Sequence, residues 1–319
     1  MTRILSLALL IGAAALAVVA LAPLWPSAIA AGGPPAASAP GQIRVQVNLV
    51  NLFVTARDKK TKRIITGMEQ TDFKVSEDNA EQKIVSFSAE SDLPITLGLL
   101  IDTSGSEAQT LGAEQEAAIR FLDRVLRKGD LTMVISFDSD ADLLANFTDD
   151  KGILEQAIRR TRIAGAAMVG ATGGTPPGTV FYDAVYLACT DRLAQEAGRK
   201  ALVILTDAVD EGSRLRIEDA VEAAQRTDTV VHILLIGNVN EGAARKLTDD
   251  TGGRTIVVRS EKNLEQAFDQ ISEELRSQYT IGYYSSNTAR DGTFRKIKVE
   301  STRKDVDTLT RRGYYAPKN

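Results

Sequence analysis

The sequence predicts an α/β fold: a mostly parallel sheet with helices on both faces, plus a small β-sandwich built from the N- and C-terminal flanks. Two observations carry this reading. Between residues 93 and 277, continuous apolar runs of strand length alternate with amphipathic helical stretches, the pattern of strands covered on both faces. Over residues 42–92 and 278–319, apolar residues instead recur at every second position, as in strands with one wet face. Composition permits both: 44% hydrophobic and 25% charged residues are the balance of an ordinary globular chain, not of a disordered tail or a multi-span membrane protein.

Residues 1–31 stand apart. Arg3 supplies a short positive region, and Ile4 to Leu21 is apolar apart from Ser6 and Gly12. Pro23, Pro26 and Ser27 break the run, and Ala28-Ile29-Ala30 has the small-x-small spacing of a signal peptidase site. Residues 1–31 are therefore expected to be a signal peptide and residues 32–41 (GGPPAASAPG) a flexible linker. The apolar run is also just long enough to cross a bilayer, so an uncleaved anchor is the alternative. No cysteine lies near the cleavage region, which excludes a bacterial-type lipid anchor. On either reading the rest of the chain is exported, to the periplasm, the cell surface or the medium.

The N-terminal β segment, residues 42–92, holds Val45, Val47, Leu49, Leu52 and Val54, then a charged turn at Asp58-Lys59-Lys60. Phe73 and Val75 follow, with a turn at Glu77-Asp78-Asn79, and then Ile84, Val85 and Phe87. From Pro94 the pattern changes. Ile95–Ile101 is a buried strand, and Leu111, Ala118, Ile119, Leu122, Val125 and Leu126 form a helical stripe. Strands follow at Leu131–Phe137, Leu143–Phe147, Ala201–Leu205, Thr229–Ile236 and Thr255–Val258. Helices are expected near Ile153–Ile158, Tyr182–Leu193, Ile217–Arg226, Glu241–Thr248 and Leu264–Leu275. The strand at Asp142–Phe147 follows its predecessor too closely for a crossover helix, so it should pair antiparallel at an edge. In the C-terminal segment, residues 278–319, the period of two returns with Tyr279, Ile281, Tyr283, Phe294, Ile297, Val299 and Tyr314, aromatic strand residues suited to filling a thin sandwich.

Charge and rare residues exclude several functions. Thirty-eight basic against 42 acidic residues leave a net charge of −4, so no basic field recruits nucleic acid or an anionic membrane. One cysteine, Cys189, rules out an intramolecular disulfide, and one histidine, His232, rules out any mechanism needing two imidazoles. Both read as packed core residues, His232 within the apolar strand VVHILLIG. No phosphate loop, nucleophile elbow or H-E-x-x-H motif is present. The chain is expected not to be an enzyme.

Chemistry concentrates after the first buried strand, in Asp102-Thr103-Ser104-Gly105-Ser106. In open α/β sheets ligands bind at the carboxyl ends of strands, so these side chains stand where a site is expected. One carboxylate and two hydroxyls at alternating positions of a turn can converge on a hard cation, Mg²⁺ or Mn²⁺ rather than zinc. The motif is short, and its competing reading is a capping box of Ser106 with Gln109 on the following helix. Two further elements add weight. The strand Ala201–Leu205 also ends on a carboxylate, in Thr206-Asp207, and a glycine and threonine loop, Gly170–Thr179 (GATGGTPPGT), precedes a helix. The acidic turn Asp138-Ser139-Asp140 reads as solvated.

With these residues the chain resembles the von Willebrand factor type A domain and its metal-ion-dependent adhesion site. The flanks sharpen the resemblance to exported A-domain-related proteins described from Acidobacteria, through Asp72-Phe73, Glu77-Asp78, Gln278–Tyr284 (QYTIGYY) and Arg311–Pro317 (RRGYYAP). It covers about residues 43–317. The resemblance implies a six-stranded Rossmann-like sheet with one antiparallel edge, in an A-type domain over residues 93–277. It implies a cation (Mg²⁺, or Mn²⁺ or Ca²⁺) held by Asp102, Ser104, Ser106, a loop threonine and Asp207, whose shell a partner's carboxylate commonly completes. The family's loop usually runs from Gly-Gly-Thr almost directly into the helix. Here Gly173-Gly174-Thr175 and Phe181-Tyr182-Asp183 are separated by Pro176–Val180, so the ligand is Thr179 when aligned from the helix and Thr175 when aligned from the left. Distance to the helix start favours Thr179. Ala208 stands where a glycine commonly follows the Asp, which matters only if the backbone there needs positive φ.

The expected function is a metal-dependent protein-binding module that recruits an Asp or Glu of another protein, with no nucleic acid and a membrane only if the N-terminal segment is retained. With two carboxylate ligands the cation would stay electrophilic toward that partner. The alternative is a structural or assembly protein of the cell envelope whose metal site is vestigial or purely stabilising.

Overall fold

Contacts divide the chain into two units, Met1–Val45 and Gln46–Asn319. The computed structural model describes residues 49–89, 93–163, 178–237 and 239–318. The expected signal peptide and linker lie outside the described residues, as do Val45, Val47 and Thr175.

The first flank contributes β1 (Leu49–Asp58), β2 (Phe73–Glu77), β3 (Ala80–Gln82) and β4 (Ile84–Ser88). The central region runs β5 (Ile95–Asp102), α1 (Leu111–Val125), β6 (Leu131–Phe137), β7 (Ala141–Thr148), α2 (Lys151–Arg160), α3 (Phe181–Leu187) and β8 (Arg199–Thr206). It continues with α4 (Ile217–Arg226), β9 (Thr229–Leu235), α5 (Glu241–Thr251), β10 (Thr255–Val257) and α6 (Glu261–Arg276). The second flank adds β11 (Tyr279–Tyr284), β12 (Phe294–Ser301), β13 (Val306–Leu309) and β14 (Gly313–Tyr315).

The central strands form one six-stranded sheet in the order β10-β9-β8-β5-β6-β7. Every pairing is parallel except β6 with β7. A turn of three residues cannot carry a crossover, so β7 returns antiparallel at the edge as expected. Every residue of β5 is buried, because helices cover both of its faces. Leu97, Leu99, Ile101, Val203 and Leu205 pack with Leu122, Phe121, Phe268 and Ile271 of α1 and α6. Leu100, Met133, Leu202, Ile204 and Ile233 pack on the other face with Val185, Val221 and Leu247 of α3, α4 and α5. Gly98 is required there: a Cβ would lie 2.4 Å from Leu202 Cδ2 and 2.8 Å from Met133 Cε.

The two flanks interleave. One antiparallel sheet runs β13-β1-β11-β4 and the other β14-β12-β2-β3, so each contains strands from both ends of the chain. Between them lie Leu52, Val54, Phe73, Val75, Tyr279, Ile281, Tyr283, Ile297 and Val299. The β2–β3 turn places Asp78 and Asn79 at φ +47° and +69°, a two-residue hairpin that Asn and Asp tolerate. Tyr279 ties the sandwich together: its hydroxyl donates to Ile65 O (3.0 Å) and accepts from Met68 N (3.1 Å).

Two local expectations are corrected, and one strand is new. Leu49 is exposed, since the buried face of β1 is Val50, Leu52, Val54 and Ala56. The helix expected over Tyr182–Leu193 is α-helical only to Leu187, then widens into a π turn at Ala188–Arg192 and a 3-10 turn at Leu193–Gln195. Strand β13 was not expected, because only Val306 and Leu309 are apolar in it and its partner β1 lies far away in sequence.

His232 and Cys189 are buried, as their sequence context implied. His232 Nδ1 sits 3.8 Å from Glu274, which is also paired with Arg254. Burial and the Arg254 charge push the imidazole down to about 3, so it is neutral at physiological pH. Among the described residues, no helix is long and apolar enough to cross a membrane.

Candidate metal centre

Asp102 is the last residue of β5, and Asp207 follows the last residue of β8. The parallel register pairs Ile101 with Leu205, so the two carboxylates emerge side by side at the carboxyl edge of the sheet. Asp102 is held on both oxygens. Oδ1 accepts from Ser104 N at 2.9 Å and Oδ2 from the Thr206 hydroxyl at 2.6 Å. Ser104 Oγ and Ser106 Oγ are 3.0 Å apart, the hydroxyls on one side of the turn.

The competing capping box of Ser106 with Gln109 does not form. Residues Gly105–Gln109 make a 3-10 turn, α1 starts after Thr110, and neither has a side-chain cap at its N-terminus. The Ser106 hydroxyl faces Ser104 instead. Ala208 has φ +58°, so the position does use the left-handed conformation that favours glycine. Its amide donates to Thr206 Oγ1 at 2.9 Å, which keeps the turn in place despite that strain.

Thr179 is buried and its backbone is clamped from both sides. Its carbonyl accepts from Glu211 N (3.0 Å) and Gly212 N (3.1 Å), beyond β8, while Val180 N donates to Asp138 O (2.7 Å), beyond β6. In the sheet β5 lies between β6 and β8, so Thr179 is strapped across the edge from which Asp102 emerges. Asp138 is part of this strap: its carboxylate accepts from the Thr103 hydroxyl at 3.3 Å. Thr175, the alternative ligand, lies outside the described residues.

One acidic residue was missed. Glu107 is fully buried, and its carboxylate, with those of Asp102 and Asp207, places three oxygens within 4.8 Å of one another. Behind it Glu114 of α1 is buried as well. The readable signal was Glu114, which falls on the apolar stripe of Leu111, Ala118, Phe121 and Val125, where an unpaired carboxylate is rarely tolerated. Burial lifts the Asp102 carboxyl to about 6, against the lowering pull of its bonds to Thr206 and Ser104. Glu107 and Glu114 are both pushed well above the usual carboxylate range, first by burial, and Glu107 also by the charge of Glu114.

This donor set fits a hard divalent cation. Oxygens at 2.0–2.6 Å from a common centre lie roughly 3 to 5 Å from one another, and the donors available are carboxylates and hydroxyls without sulfur or imidazole. Clustered buried carboxylates repel one another when ionised, and a cation removes that penalty. When bound, it would supply a Lewis-acidic centre at the sheet edge; Asp102, Glu107 and Asp207 would neutralise it, and Thr206 and Ser104 fix Asp102 toward it.

Residues 97–209 match the von Willebrand factor type A domain family. The matched stretch runs from β5 to just beyond β8. Among solved structures it is similar to proximal thread matrix protein 1 from the mussel byssus, at 13% identity and TM-score 0.51, over 63% of this chain and 51% of that one. The chain thus spans about half the length of the mussel protein. Another structure of that protein, described with a zinc-occupied adhesion-site motif, matches at 13% identity and TM-score 0.49, over 60% of this chain and 47% of that one. A von Willebrand factor type A protein from Catenulispora acidiphila matches at 12% identity and TM-score 0.49, over 86% of this chain and 75% of that one. No curated protein matches by sequence. At 13% identity and TM-score 0.51, the likeness to the mussel protein is one of fold alone.

Proposed function

We propose that this chain is an exported, non-enzymatic binding module in which a divalent cation, held by Asp102, Ser104, Ser106, Thr179, Asp207 and Glu107, recruits an acidic group of a partner protein. The observation that carries the reading is the convergence of Asp102, Glu107 and Asp207 at the carboxyl edge of the A-domain sheet. Export rests on the apolar Ile4–Leu21 run and the Ala28-Ile29-Ala30 site. N-terminal sequencing of the exported chain should begin after Ala30 or Ala31; material beginning at Met1 or Thr2 would favour a retained anchor. The flanking segments Gln278–Tyr284 and Arg311–Pro317 support placing the chain among the exported A-domain-related proteins described from Acidobacteria.

A second reading has its own observation. Glu107 adds a third carboxylate, which leaves a divalent ion less electrophilic toward an incoming Asp or Glu and suits a purely stabilising metal in an assembly protein. Calorimetry with Mg²⁺, Mn²⁺ and Ca²⁺, followed by binding to immobilised acidic peptides with and without EDTA, separates the two. Cation-dependent peptide binding that Asp102→Ala abolishes supports recruitment. Cation binding that raises thermal stability without any peptide binding supports the stabilising role, and no cation binding at all refutes both.

A further inference from the structure

Residues 311–317 (RRGYYAP) carry a motif that the cation site does not use. Arg312 reaches Asp249 (3.2 Å) and Asp250 (2.8 Å) of α5, and the Arg226 guanidinium, at the end of α4, lies 4.0 Å over the Tyr315 ring. These contacts seat the β14-β12-β2-β3 sheet against α4 and α5, and a cleft of about 580 Å³ remains in the seam. One wall is a single face of α4, with Glu218, Val221 and Glu222 at three- and four-residue steps. The other carries Phe294, Lys296 and Ile297 of β12 and Tyr315 of β14. The aromatic part is set in advance: Phe294 meets Tyr315 edge-on at 5.1 Å between ring centroids. Gly313 permits this, since a Cβ there would lie 2.3 Å from Phe294 Cζ.

Most charges lining the cleft are already paired. Glu222 pairs with Arg226 (2.7 Å), Lys298 with Glu300 (2.7 Å), and Lys246 and Arg312 share Asp250 (3.2 and 2.8 Å). Among the described residues of this lining, Lys296 and Glu218 alone have no ion pair. They stand on different walls, a cation on the sheet and an anion on the helix, and Val221 and Ile297, 6% and 7% exposed, add apolar surface. An occupant that satisfies this lining carries an anion, a cation and an apolar body. The volume suits a ligand of drug size: a folded partner's face is too large to enter, and a single amino acid leaves most of the space empty.

We propose that this seam binds a short extended peptide, which sets an acidic residue on Lys296, a basic residue on Glu218 and apolar side chains against Phe294 and Tyr315. The walls are held in place before binding, by Arg312 and Tyr315 on α4 and α5, so little ordering opposes association. The cleft shares no residue with Asp102, Glu107 and Asp207, so the proposal does not rest on the cation centre.

The test titrates the full chain, in EDTA, against two terminally blocked and fluorescently labelled peptides, Lys-Leu-Leu-Glu and Lys-Leu-Leu-Gln, followed by anisotropy. Saturable binding of one peptide per chain is expected, the glutamate peptide roughly tenfold tighter, as for one charge-assisted hydrogen bond. Lys296→Gln should erase that preference, and Glu218→Gln should weaken both peptides alike. Both side chains are exposed, so neither variant should lower the melting temperature. A preference that survives Lys296→Gln together with affinities unmoved by Glu218→Gln would overturn the site, as would no saturable binding of either peptide at millimolar concentration. Binding that is lost in EDTA and restored by Mg²⁺ would also overturn it and place the peptide at the cation centre. Peptide binding of the expected pattern in a chain that takes up no cation would sink the cation centre and leave this site standing.

Discussion

Asp102→Asn should stabilise the cation-free protein and abolish its response to metal. The Asp102 carboxyl is lifted from 3.8 to about 6, so its ionised form is disfavoured in the fold by about 3 kcal/mol. The sign follows from the raised folded value. The folded state holds the proton more tightly than the unfolded chain, so stability is fullest below about pH 4, declines as pH rises to about 6, and is flat above. Asparagine keeps the shape and removes the charge. Its carbonyl can still accept from Ser104 N, while its amide meets the Thr206 hydroxyl, which already accepts from Ala208 N and loses its own acceptor. That mismatch costs about 1 kcal/mol, leaving a net gain of about 2 kcal/mol at neutral pH. With Mn²⁺ at a hundred times its dissociation constant the wild type should gain about 2.7 kcal/mol and the variant essentially nothing. Urea unfolding at pH 7.5, in EDTA and in Mn²⁺, should therefore show the order of stabilities inverting between the two buffers. A variant less stable than wild type in EDTA, or equally stabilised by Mn²⁺, refutes the reasoning.

Thr179→Ala should weaken cation binding more than Thr175→Ala in calorimetry; the reverse order would reassign the loop ligand to Thr175. His232→Val should remove an acid-sensitive loss of stability: with the imidazole held near 3, the wild type keeps this contribution above about pH 6.5 and loses it as pH falls, by about 3 kcal/mol at pH 4.5. Parallel stability profiles of the two proteins between pH 4.5 and 7 would contradict this. Removing residues 278–319 takes β11 and β13 from both sides of β1, so limited proteolysis should cut within residues 49–88; a resistant fragment there would mean the flanks fold separately. Ala208→Gly should change stability by less than about 1 kcal/mol, because relief of a positive φ, roughly 1–2 kcal/mol, is offset by a lost buried methyl and a more flexible unfolded chain; a larger shift in denaturant midpoint would show that one effect dominates.

Local pattern sufficed for the elements whose neighbours in space are dictated by burial. The run Ile95–Ile101 has no polar face to show to water, so it could only be a strand covered on both sides, and the three-residue turn before β7 left an antiparallel edge as its only outcome. Asp102, Ser104 and Asp207 were legible for the same reason: in a parallel sheet the residues that follow buried strands are delivered to one edge. What local pattern lacked was anything depending on the far side of the fold. Strand β13 exists because β1 offers an open edge some 250 residues earlier in the chain, not because its own residues demand extension. Leu49 faces outward because its register with β11 turns Val50 and Leu52 inward. Glu107 looked like an ordinary acid at the start of a helix. Only the 3-10 turn Gly105–Gln109, folded at the carboxyl edge of the sheet, buries it against Asp102 and Asp207, and that enclosure, by removing water from the carboxylates, turns a short motif into a candidate cation site.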